Sequence, residues 1–324
     1  MKVSLIIPVY NAAKTLRKSL DSVAMQSFRD FELVFVNDCS TDDSREILEE
    51  FSSSSGIPCQ IIDQPNNMGV AAARNRALDE VRGEHVMWLD ADDLLESDAI
   101  RVAVEAAETN DADIVGWDWT LGFEHNGRYM RQADWKSPLD ALKNLMGGTM
   151  RWNLWLFMVK RSLIQDSNLR FIPDANMGED MMFMIKAFCH CGNAVQIHQP
   201  LYCYNAVSTS SISKQFSEVR RREVSRNVDQ ALAAVAESKY KDELCDYTNY
   251  LKLYIKLPLL MSDQIADYKI WYDLYPESNA YAKRNKALPL RTRLVQWMAS
   301  KKCWLGVKAY YVFVYKFVYG LIYR

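Results

Sequence analysis

Short apolar segments alternate with amphipathic segments over residues 1–119, and this alternation constrains the fold more than any other feature. The predicted strands are 3–9, 31–37, 58–63, 84–90 and 112–119, and the predicted helices are 12–27, 42–53, 69–82 and 97–109. The first two strand segments are almost wholly apolar, which is typical of strands that are buried on both faces. The alternation therefore predicts an α/β fold with a mostly parallel sheet that helices flank.

The pattern changes after Thr120, where the strand–helix units end. The next predicted elements are a hairpin turn at Asn126-Gly127, a helix at 138–146, an aromatic-rich segment at 150–161 and a strand at 194–205. Helical patterns dominate beyond the serine-rich segment 206–213. We therefore predict one domain over 1–216, with halves at about 1–118 and 119–216, and a helical C-terminal region over 217–324.

The formal net charge of −2 hides a strong asymmetry along the chain. Residues 278–324 contain ten Lys and Arg and no acidic residue, which leaves 29 basic against 41 acidic residues in the rest. A basic tail on an acidic body predicts an anionic partner, either a membrane surface or a nucleic acid.

The segment 303–324 predicts an amphipathic helix that lies in a membrane interface. One broad face carries Val307, Tyr310, Phe313, Val314, Phe317, Val318 and Leu321, and the other carries Lys301, Lys308, Tyr315, Lys316, Tyr319 and Tyr323. Such a helix favours an anionic membrane surface, with residues 283–324 as the docking region. The alternative is packing against the preceding domain or a second copy of the chain. Nucleic acid is disfavoured because the basic residues are interleaved with an apolar face that needs covering.

The cysteines and the first residues indicate the compartment. Seven cysteines, an odd number without C-x-x-C pairs, fit a reducing cytoplasm better than a disulfide framework. The start of the chain, "MKVSLIIPVY", is too short an apolar segment for a signal peptide or a membrane span. We expect a cytoplasmic protein that is peripheral at the inner face of the plasma membrane.

Residues suited to ligand binding follow four of the predicted strands. The segments are "PVYN" (8–11), "NDCSTDD" (37–43), "NNMG" (66–69) and "DADD" (90–93). Because ligands bind beyond the carboxyl ends of parallel strands, these segments should form one site. Asp38 could accept hydrogen bonds from a base or a ribose, or it could cap the next helix. Gly69 precedes an Ala-rich helix whose backbone amides, together with Arg74, can face an anion.

The segment "DADD" places Asp90, Asp92 and Asp93 close together. Crowded carboxylates need a compensating charge, or one of them binds a proton. Mn²⁺ or Mg²⁺ supplies that charge and normally takes one or two carboxylates plus phosphate oxygens. The alternative is an acidic loop, with Ser97 or Asp98 capping the following helix. The cluster therefore predicts a site for a metal and a diphosphate.

Five ordered motifs resemble family 2 glycosyltransferases, which are inverting enzymes of the GT-A (Rossmann-like) fold. The motifs are "VSLIIPVYN", "VNDCSTDDS", "NMGVAAARNRAL", "WLDADD" and "GED" (178–180), and the resemblance covers about residues 1–215. It implies a nucleoside-diphosphate sugar as donor, most often a UDP-sugar, bound in the half 1–118, with the acceptor in the half 119–216. It also implies Asp180 as general base and Asp92 as metal ligand, with Asp93 competing for the metal.

The predicted nucleotide-sugar site combines this resemblance with the positions of residues after the strands. Its members are Pro8, Val9, Tyr10, Asn11, Asp38, Asn67, Gly69, Arg74, Asp90, Ala91, Asp92, Trp117 and Asp118. Trp117 could stack on a sugar and Asp118 could bind its hydroxyls, although core packing is an equal alternative for Trp117. Trp152 and Trp155 could line an acceptor groove. Asn205 stands where relatives often carry Arg, which puts a phosphate contact there in doubt.

The predicted reaction is a single displacement that inverts the anomeric centre. An acceptor hydroxyl is a poor nucleophile, so a carboxylate must take its proton, while a metal stabilises the departing diphosphate. We expect a hexosyl-type transferase that acts on a surface glycan or a lipid-linked saccharide. A scaffold that binds nucleotide sugars without turnover is the alternative. A nucleotidyltransferase would need a Gly-rich basic loop after the first strand, where this chain has "PVYNAAK".

Overall fold

The computed structural model describes residues 1–123, 126–205 and 216–314. Its strands are β1 Val3–Val9, β2 Phe31–Asn37, β3 Cys59–Asp63, β4 His85–Trp88, β5 Leu94–Leu95, β6 Ile114–Gly122, β7 Gly127–Met130, β8 Phe157–Lys160 and β9 Ala194–Asn205. They form one nine-stranded sheet in the order β3-β2-β1-β4-β8-β6-β9-β5, with β7 paired to β6. The predicted serine-rich segment 206–213 lies outside the described residues.

Twelve α-helices flank the sheet or follow it within the described residues. They are α1 Leu16–Ala24, α2 Ser44–Ser54, α3 Val70–Leu78, α4 Ala99–Asn110, α5 Pro138–Gly147, α6 Arg161–Asp166, α7 Glu179–His190, α8 Glu218–Glu237, α9 Cys245–Ile255, α10 Ile265–Asp273, α11 Leu290–Ser300 and α12 Trp304–Tyr311. Local sequence explains several bounds. Ser137, for example, accepts a hydrogen bond from the amide of Asp140 at the start of α5, and Gly148 ends that helix in the left-handed conformation.

The predicted parallel core of the sheet is confirmed. β1 pairs in parallel with β2 and β4, and β2 pairs in parallel with β3. Every residue of β2 is buried, as expected for a strand covered on both faces. Parallel pairing brings the carboxyl ends of β1, β2 and β4 to one rim of the sheet.

The strand predicted at 112–119 does not pair with β4 as a simple extension of the parallel sheet would require. β8 lies between β4 and β6 and is antiparallel to both, with Val159 opposite Val86 and Ile114. No strand is predicted at 157–160. The reason is that β8 is buried on both faces, so its sequence lacks the alternation of apolar and polar residues that marks a half-buried strand. The predicted hairpin is present, since β6 and β7 pair antiparallel with Gly122 opposite Gly127.

The buried apolar residues in the described part of the chain form two clusters. The larger cluster contains the sheet, its flanking helices and residues of α8 and α9, among them Val224 and Leu251. The smaller cluster contains residues of α10, α11 and α12, among them Trp271, Val295 and Val307. The domain boundary near 217 stays a prediction, and the division in packing falls later, within α9.

The predicted apolar face of the C-terminal helix is divided in the structure. Val307 is fully buried in the smaller cluster and Tyr310 packs against it, whereas Phe313 is 62% exposed. Leu305, which is not part of the predicted face, is 77% exposed. Packing against the protein, the alternative to membrane contact, therefore accounts for part of that face. Residues 315–324 of the predicted helix lie outside the described part of the chain. No described helix is both long and apolar enough to cross a membrane.

Candidate functional site

Asp38 follows β2 and organises the loop that leads into α3. Its Oδ1 accepts hydrogen bonds from Gln64 Nε2 at 2.6 Å and from the amide of Met68 at 2.7 Å. Its Oδ2 accepts from the amide of Gly69 at 2.8 Å. The side chain is buried, and it does not cap α2. Asp38 therefore shapes the rim of the site directly.

Gly69 has a backbone conformation that would be strained for any other residue type. Its φ is +84°, and an added Cβ would lie 2.4 Å from Nδ2 of Asn176. The Oδ1 atom of Asn176 accepts a hydrogen bond from the amide of Ala71 at 3.0 Å. Asn67 is exposed, and its Oδ1 accepts from the amide of Gly69 at 3.2 Å. Asn176 was missed by the sequence analysis, because its contact spans 105 residues and leaves no local signal.

The end of β1 turns sharply at Asn11, whose φ is +48°. Its amide donates to Ser40 Oγ at 3.1 Å, and its Oδ1 accepts from the amide of Thr41 at 2.8 Å. These contacts join the loops after β1 and β2. Of the other predicted residues here, Val9 is buried, Pro8 is half-buried, and Tyr10 is 49% exposed.

Arg74 joins three carboxylates that come from distant parts of the sequence. Its Nη1 lies 2.5 Å from Asp180 Oδ1 and 2.9 Å from Glu179 Oε1. Its Nη2 lies 3.5 Å from Asp90 Oδ1. The other oxygen of Asp180 accepts a hydrogen bond from the amide of Leu154 at 3.2 Å. Asp90, a predicted donor residue, and Asp180, the predicted base, therefore meet at the buried guanidinium of Arg74.

One arginine does not neutralise this acidic cluster. Burial raises the pKa of Glu179 to about 8, the charge of Asp180 adds to that effect, and Arg74 opposes it. Burial also raises the pKa of Asp90 to about 6, with Arg74 again opposing and Asp180 and Asp92 repelling the charged form. The environment therefore shifts Glu179 and Asp90 towards their protonated forms.

The neighbouring carboxylates of Asp92 and Asp93 have different surroundings. Asp93 is 1% exposed, and it accepts hydrogen bonds from the Tyr202 hydroxyl at 2.7 Å and the Asn205 amide at 2.8 Å. Burial raises the pKa of Asp93 to about 8, and repulsion from Asp90 and Asp92 adds to that effect. Tyr202 and Asn205 hold this loop to β9, a link that the sequence analysis did not predict.

Asp92 is half-exposed, as is Asp90, whereas Asp93 is buried. It belongs to the same loop as buried Ala91, whose carbonyl accepts from Thr15 Oγ1 at 3.1 Å. Among the described residues, no group of three or more His, Cys, Asp or Glu side chains could hold a metal alone. An accessible carboxylate oxygen beside further acidic side chains fits a hard divalent cation that takes its remaining ligands from phosphate and water.

Trp117 and Asp118 lie in the core and not at the rim. Trp117 is 1% exposed, and its indole N–H donates to the carbonyl of Trp155 at 3.1 Å. Asp118 is fully buried, where it accepts from the amide of Gln132 at 2.8 Å and contacts His198 Nδ1 at 3.1 Å. Contact of either side chain with a sugar stays a prediction that this packing does not support.

The two predicted acceptor tryptophans also differ in exposure. Trp155 is buried and stacks on Tyr202 with ring centroids 4.3 Å apart. Trp152 is half-buried and packs edge-on against Tyr254 at 5.0 Å. Of the two, only Trp152 therefore presents much surface to an acceptor.

The sheet order, the flanking helices and the acidic rim define a glycosyltransferase of the GT-A type. The chain belongs to the family described as glycosyl transferase family 2, whose model matches residues 4–182. The uncharacterized glycosyltransferase EpsJ of Bacillus subtilis is 29% identical over 209 residues, which cover 62% of this chain and 60% of that protein. The chain therefore spans less than two thirds of that relative's length.

Two solved structures share the fold. The crystal structure of TarS residues 1–349 from Staphylococcus aureus in complex with UDP-GlcNAc has a TM-score of 0.75 at 18% identity, and the match covers 98% of this chain and 92% of that chain. The mannosyltransferase PcManGT from Pyrobaculum calidifontis, in complex with GDP-Man and Mn²⁺, has a TM-score of 0.55 at 20% identity, covering 96% and 85%. At such identities the likeness shows the fold alone.

Proposed function

We propose that this protein transfers a sugar from a UDP-sugar to an acceptor hydroxyl by a single displacement that inverts the anomeric centre. The observation that carries the proposal is the Arg74 cluster, which joins Asp90 at the end of β4 to Asp180 at the start of α7. UDP-GlcNAc in the TarS structure supports a UDP-sugar as donor. The acceptor in the proposal is a surface glycan or a lipid-linked saccharide.

Asp180 is the proposed general base. Its two oxygens contact Arg74 and the amide of Leu154, so the carboxylate has a fixed orientation. A carboxylate held in this way can accept the proton of a hydroxyl as that hydroxyl attacks the sugar. Glu179 is less suited to the role, because burial raises its pKa to about 8 and favours its protonated form.

A divalent cation, Mn²⁺ or Mg²⁺, belongs to the proposal, with Asp92 as its protein ligand. Mn²⁺ in the PcManGT structure supports metal use in this fold. When bound, the cation would stabilise the negative charge of the departing diphosphate. Asp93, the competing ligand, is buried and already accepts hydrogen bonds from Tyr202 and Asn205.

The test compares Asp180→Asn with the parent, using UDP-GlcNAc and MnCl₂ as probes. We expect Asp180→Asn to bind UDP-GlcNAc with the parental dissociation constant but to release UDP at least about 100-fold more slowly. Calorimetry measures binding, and a coupled assay measures UDP. The control is Asp79→Asn, an exposed aspartate that pairs with Arg170, and it should behave as the parent. Parental turnover by Asp180→Asn would place the base elsewhere.

A scaffold that binds nucleotide sugars without turnover is the second candidate. Slow hydrolysis of the donor by water, without an added acceptor, distinguishes the two functions. A thermal-shift screen of UDP-, GDP- and dTDP-sugars with MnCl₂ first identifies the donor that binds. Binding without any UDP release, with or without candidate acceptors, would favour the scaffold.

Membrane docking through 283–324 is a further part of the proposal, and it would keep the protein at the inner face of the plasma membrane. Leu305, Lys308, Val312 and Phe313 line a shallow groove on the outer side of α12. Apolar side chains beside lysine suit an anionic bilayer surface. A second copy of the chain is the other occupant that this surface could take.

A double variant tests the membrane proposal better than truncation does. Deleting 283–324 would remove Val295 and Val307 from the smaller cluster and unfold its remainder. Leu305→Ser with Phe313→Ser keeps that packing and should abolish flotation with phosphatidylglycerol vesicles. Met25→Ser, which changes a side chain that is 68% exposed elsewhere, should float as the parent does. Equal flotation of all three proteins would exclude this surface.

A further inference from the structure

The loop 171–178 leads directly into the proposed base, and α3 holds one side of it. Asn75 forms two hydrogen bonds with the backbone of Phe171, each 2.9 Å long. Its Nδ2 donates to the Phe171 carbonyl, and its Oδ1 accepts from the Phe171 amide. Asn176 accepts from the amide of Ala71 at 3.0 Å. These contacts tie the loop to the helix that carries Arg74.

Helix α8, which lies beyond the predicted catalytic domain, holds the opposite side of the loop. Asn227 Nδ2 donates to the carbonyls of Ala175 at 3.0 Å and Met177 at 2.9 Å. Val224 fills the space beside Gly178, where its Cγ2 lies 2.9 Å from the position of an added Cβ. The loop is therefore fixed between α3 and α8.

Asn227 is the central contact on the α8 side. It is fully buried, and its Oδ1 atom has no hydrogen-bond partner. A buried side-chain carbonyl without a partner costs folding free energy. Both of its N–H bonds instead satisfy carbonyls of the loop. The side chain is therefore suited to hold the loop in one conformation.

We propose that Asn227 is a positioning residue for the general base. Its contact with Met177 lies three residues before Asp180, and Gly178 is the only residue between Met177 and the start of α7. Fixing Met177 thus fixes the first turn of α7, from which Asp180 projects. The inference rests on the proposed function of Asp180, and it makes the first helix of the C-terminal region part of the catalytic unit.

The test uses two variants of Asn227 and one matched control. Asn227→Leu removes both donors and keeps the number and branching of the side-chain heavy atoms, and Asn227→Ser retains one donor. Asn285→Leu is the control, because Asn285 is also buried and donates to a backbone carbonyl, that of Gly147, at 2.8 Å. Hydrogen–deuterium exchange of residues 171–182 measures how firmly the loop is held. UDP release from UDP-GlcNAc with MnCl₂ measures turnover, expressed per donor-binding site.

We expect Asn227→Leu to increase exchange in 171–182 and to lower kcat about tenfold or more, because small misplacements of catalytic groups are costly. The KM for UDP-GlcNAc should stay within about twofold of the parental value, since Asn227 contacts none of the proposed donor residues. Asn227→Ser should be intermediate, and Asn285→Leu should match the parent in kcat even if it unfolds at a lower temperature.

Parental exchange and parental kcat in Asn227→Leu would overturn the positioning role and leave the proposed function intact. An equal loss of kcat in Asn285→Leu would also overturn it, because the effect would then follow general destabilisation. If the parent itself releases no UDP, the proposed function fails. In that case exchange alone decides whether Asn227 fixes the loop.

Discussion

At the scale of single residues, Gly69 and Gly56 share a left-handed backbone but differ in their surroundings. The φ angles are +84° and +67°, yet an added Cβ meets Asn176 at 2.4 Å beside Gly69 and nothing within 4 Å beside Gly56. The ψ of Gly69 is 165°, which places it in a region that is essentially reserved for glycine. The pair therefore compares a position where a substitution meets both backbone strain and steric overlap with one where it meets backbone strain alone.

We expect Gly69→Ala to lower the free energy of unfolding by more than the roughly 1–3 kcal/mol that backbone strain alone costs, because the methyl group also displaces Asn176. Gly56→Ala should lose about 1–2 kcal/mol. Urea denaturation measures both values. Nucleotide-sugar binding should weaken only in Gly69→Ala, since its loop borders the proposed site. Equal losses in the two variants would contradict the steric argument.

Asp92 and Asp93 are adjacent, but their surroundings separate their roles. We expect Asp92→Asn to lose the part of UDP-GlcNAc binding that depends on MnCl₂, because an amide is a weaker ligand for a hard cation. Asp93→Asn should keep the MnCl₂-dependent part of UDP-GlcNAc binding. It should unfold at an equal or higher temperature, since burying a carboxylate is costly. Calorimetry with MnCl₂ or EDTA makes the comparison. Loss of metal dependence only in Asp93→Asn would reverse the assignment.

At the scale of structural elements, Lys256 joins the end of α9 to the segment that follows α10. It is buried, and its Nζ donates to the carbonyl of Leu274 at 2.7 Å and to Asn279 Oδ1 at 2.8 Å. The same atom lies 4.2 Å from the centroid of the Trp271 ring. Burial lowers the pKa of Lys256 to about 7.

This depressed pKa predicts a stability that depends on pH. An unfolded lysine has a pKa of about 10.4, so between about pH 7 and that value the folded state binds fewer protons. The free energy of unfolding should therefore rise with pH across this window, by at most about 1.4 kcal/mol per pH unit. Lys256→Met should remove that rise, whereas Lys286→Met, at an exposed position, should retain it. Urea denaturation from pH 7 to 9.5 provides the measurement, and equal slopes would exclude Lys256 as the cause.

The elements that the sequence predicts well are those with a strong local pattern. β1, β2 and β9 have the predicted bounds, because each is a long apolar or half-apolar run between clear breaks. β5 and β8 are only 2 and 4 residues long, and their pairing partners lie far away in sequence. Their existence depends on tertiary contacts that no local pattern encodes.

The same distinction holds for the site. Asp38 and Asp90 follow strands and Arg74 lies near the start of α3, so topology alone predicts that they belong to one site. Asn176 and Asn227 act through backbone groups of a distant loop, and an isolated asparagine carries no signal of such a contact. The prediction of Asp180 as the base came from the resemblance to a family. By position alone, Asp180 is an acidic residue in the first turn of a helix.

At the scale of the whole molecule, the described residues form two apolar clusters that meet in α9. Leu251 belongs to the larger cluster and Leu253 to the smaller one. The smaller cluster contains α10, α11 and α12. Helix α8 and its contacts with the loop 171–178 belong to the larger cluster. The C-terminal region therefore divides into a part that supports the site and a part that packs largely on its own.

Trp271→Ala tests this division, because Trp271 is fully buried in the smaller cluster. Truncating a buried tryptophan costs about 3–5 kcal/mol, and that loss should fall on the smaller cluster first. We expect faster hydrogen–deuterium exchange over 257–312, with unchanged exchange over 3–37 and unchanged binding of UDP-GlcNAc with MnCl₂. Trp88→Ala, in the larger cluster, should instead accelerate exchange in both regions and weaken binding. If Trp271→Ala accelerates exchange equally in both regions, the two clusters unfold as one cooperative unit, and α10, α11 and α12 cannot loosen without the proposed site.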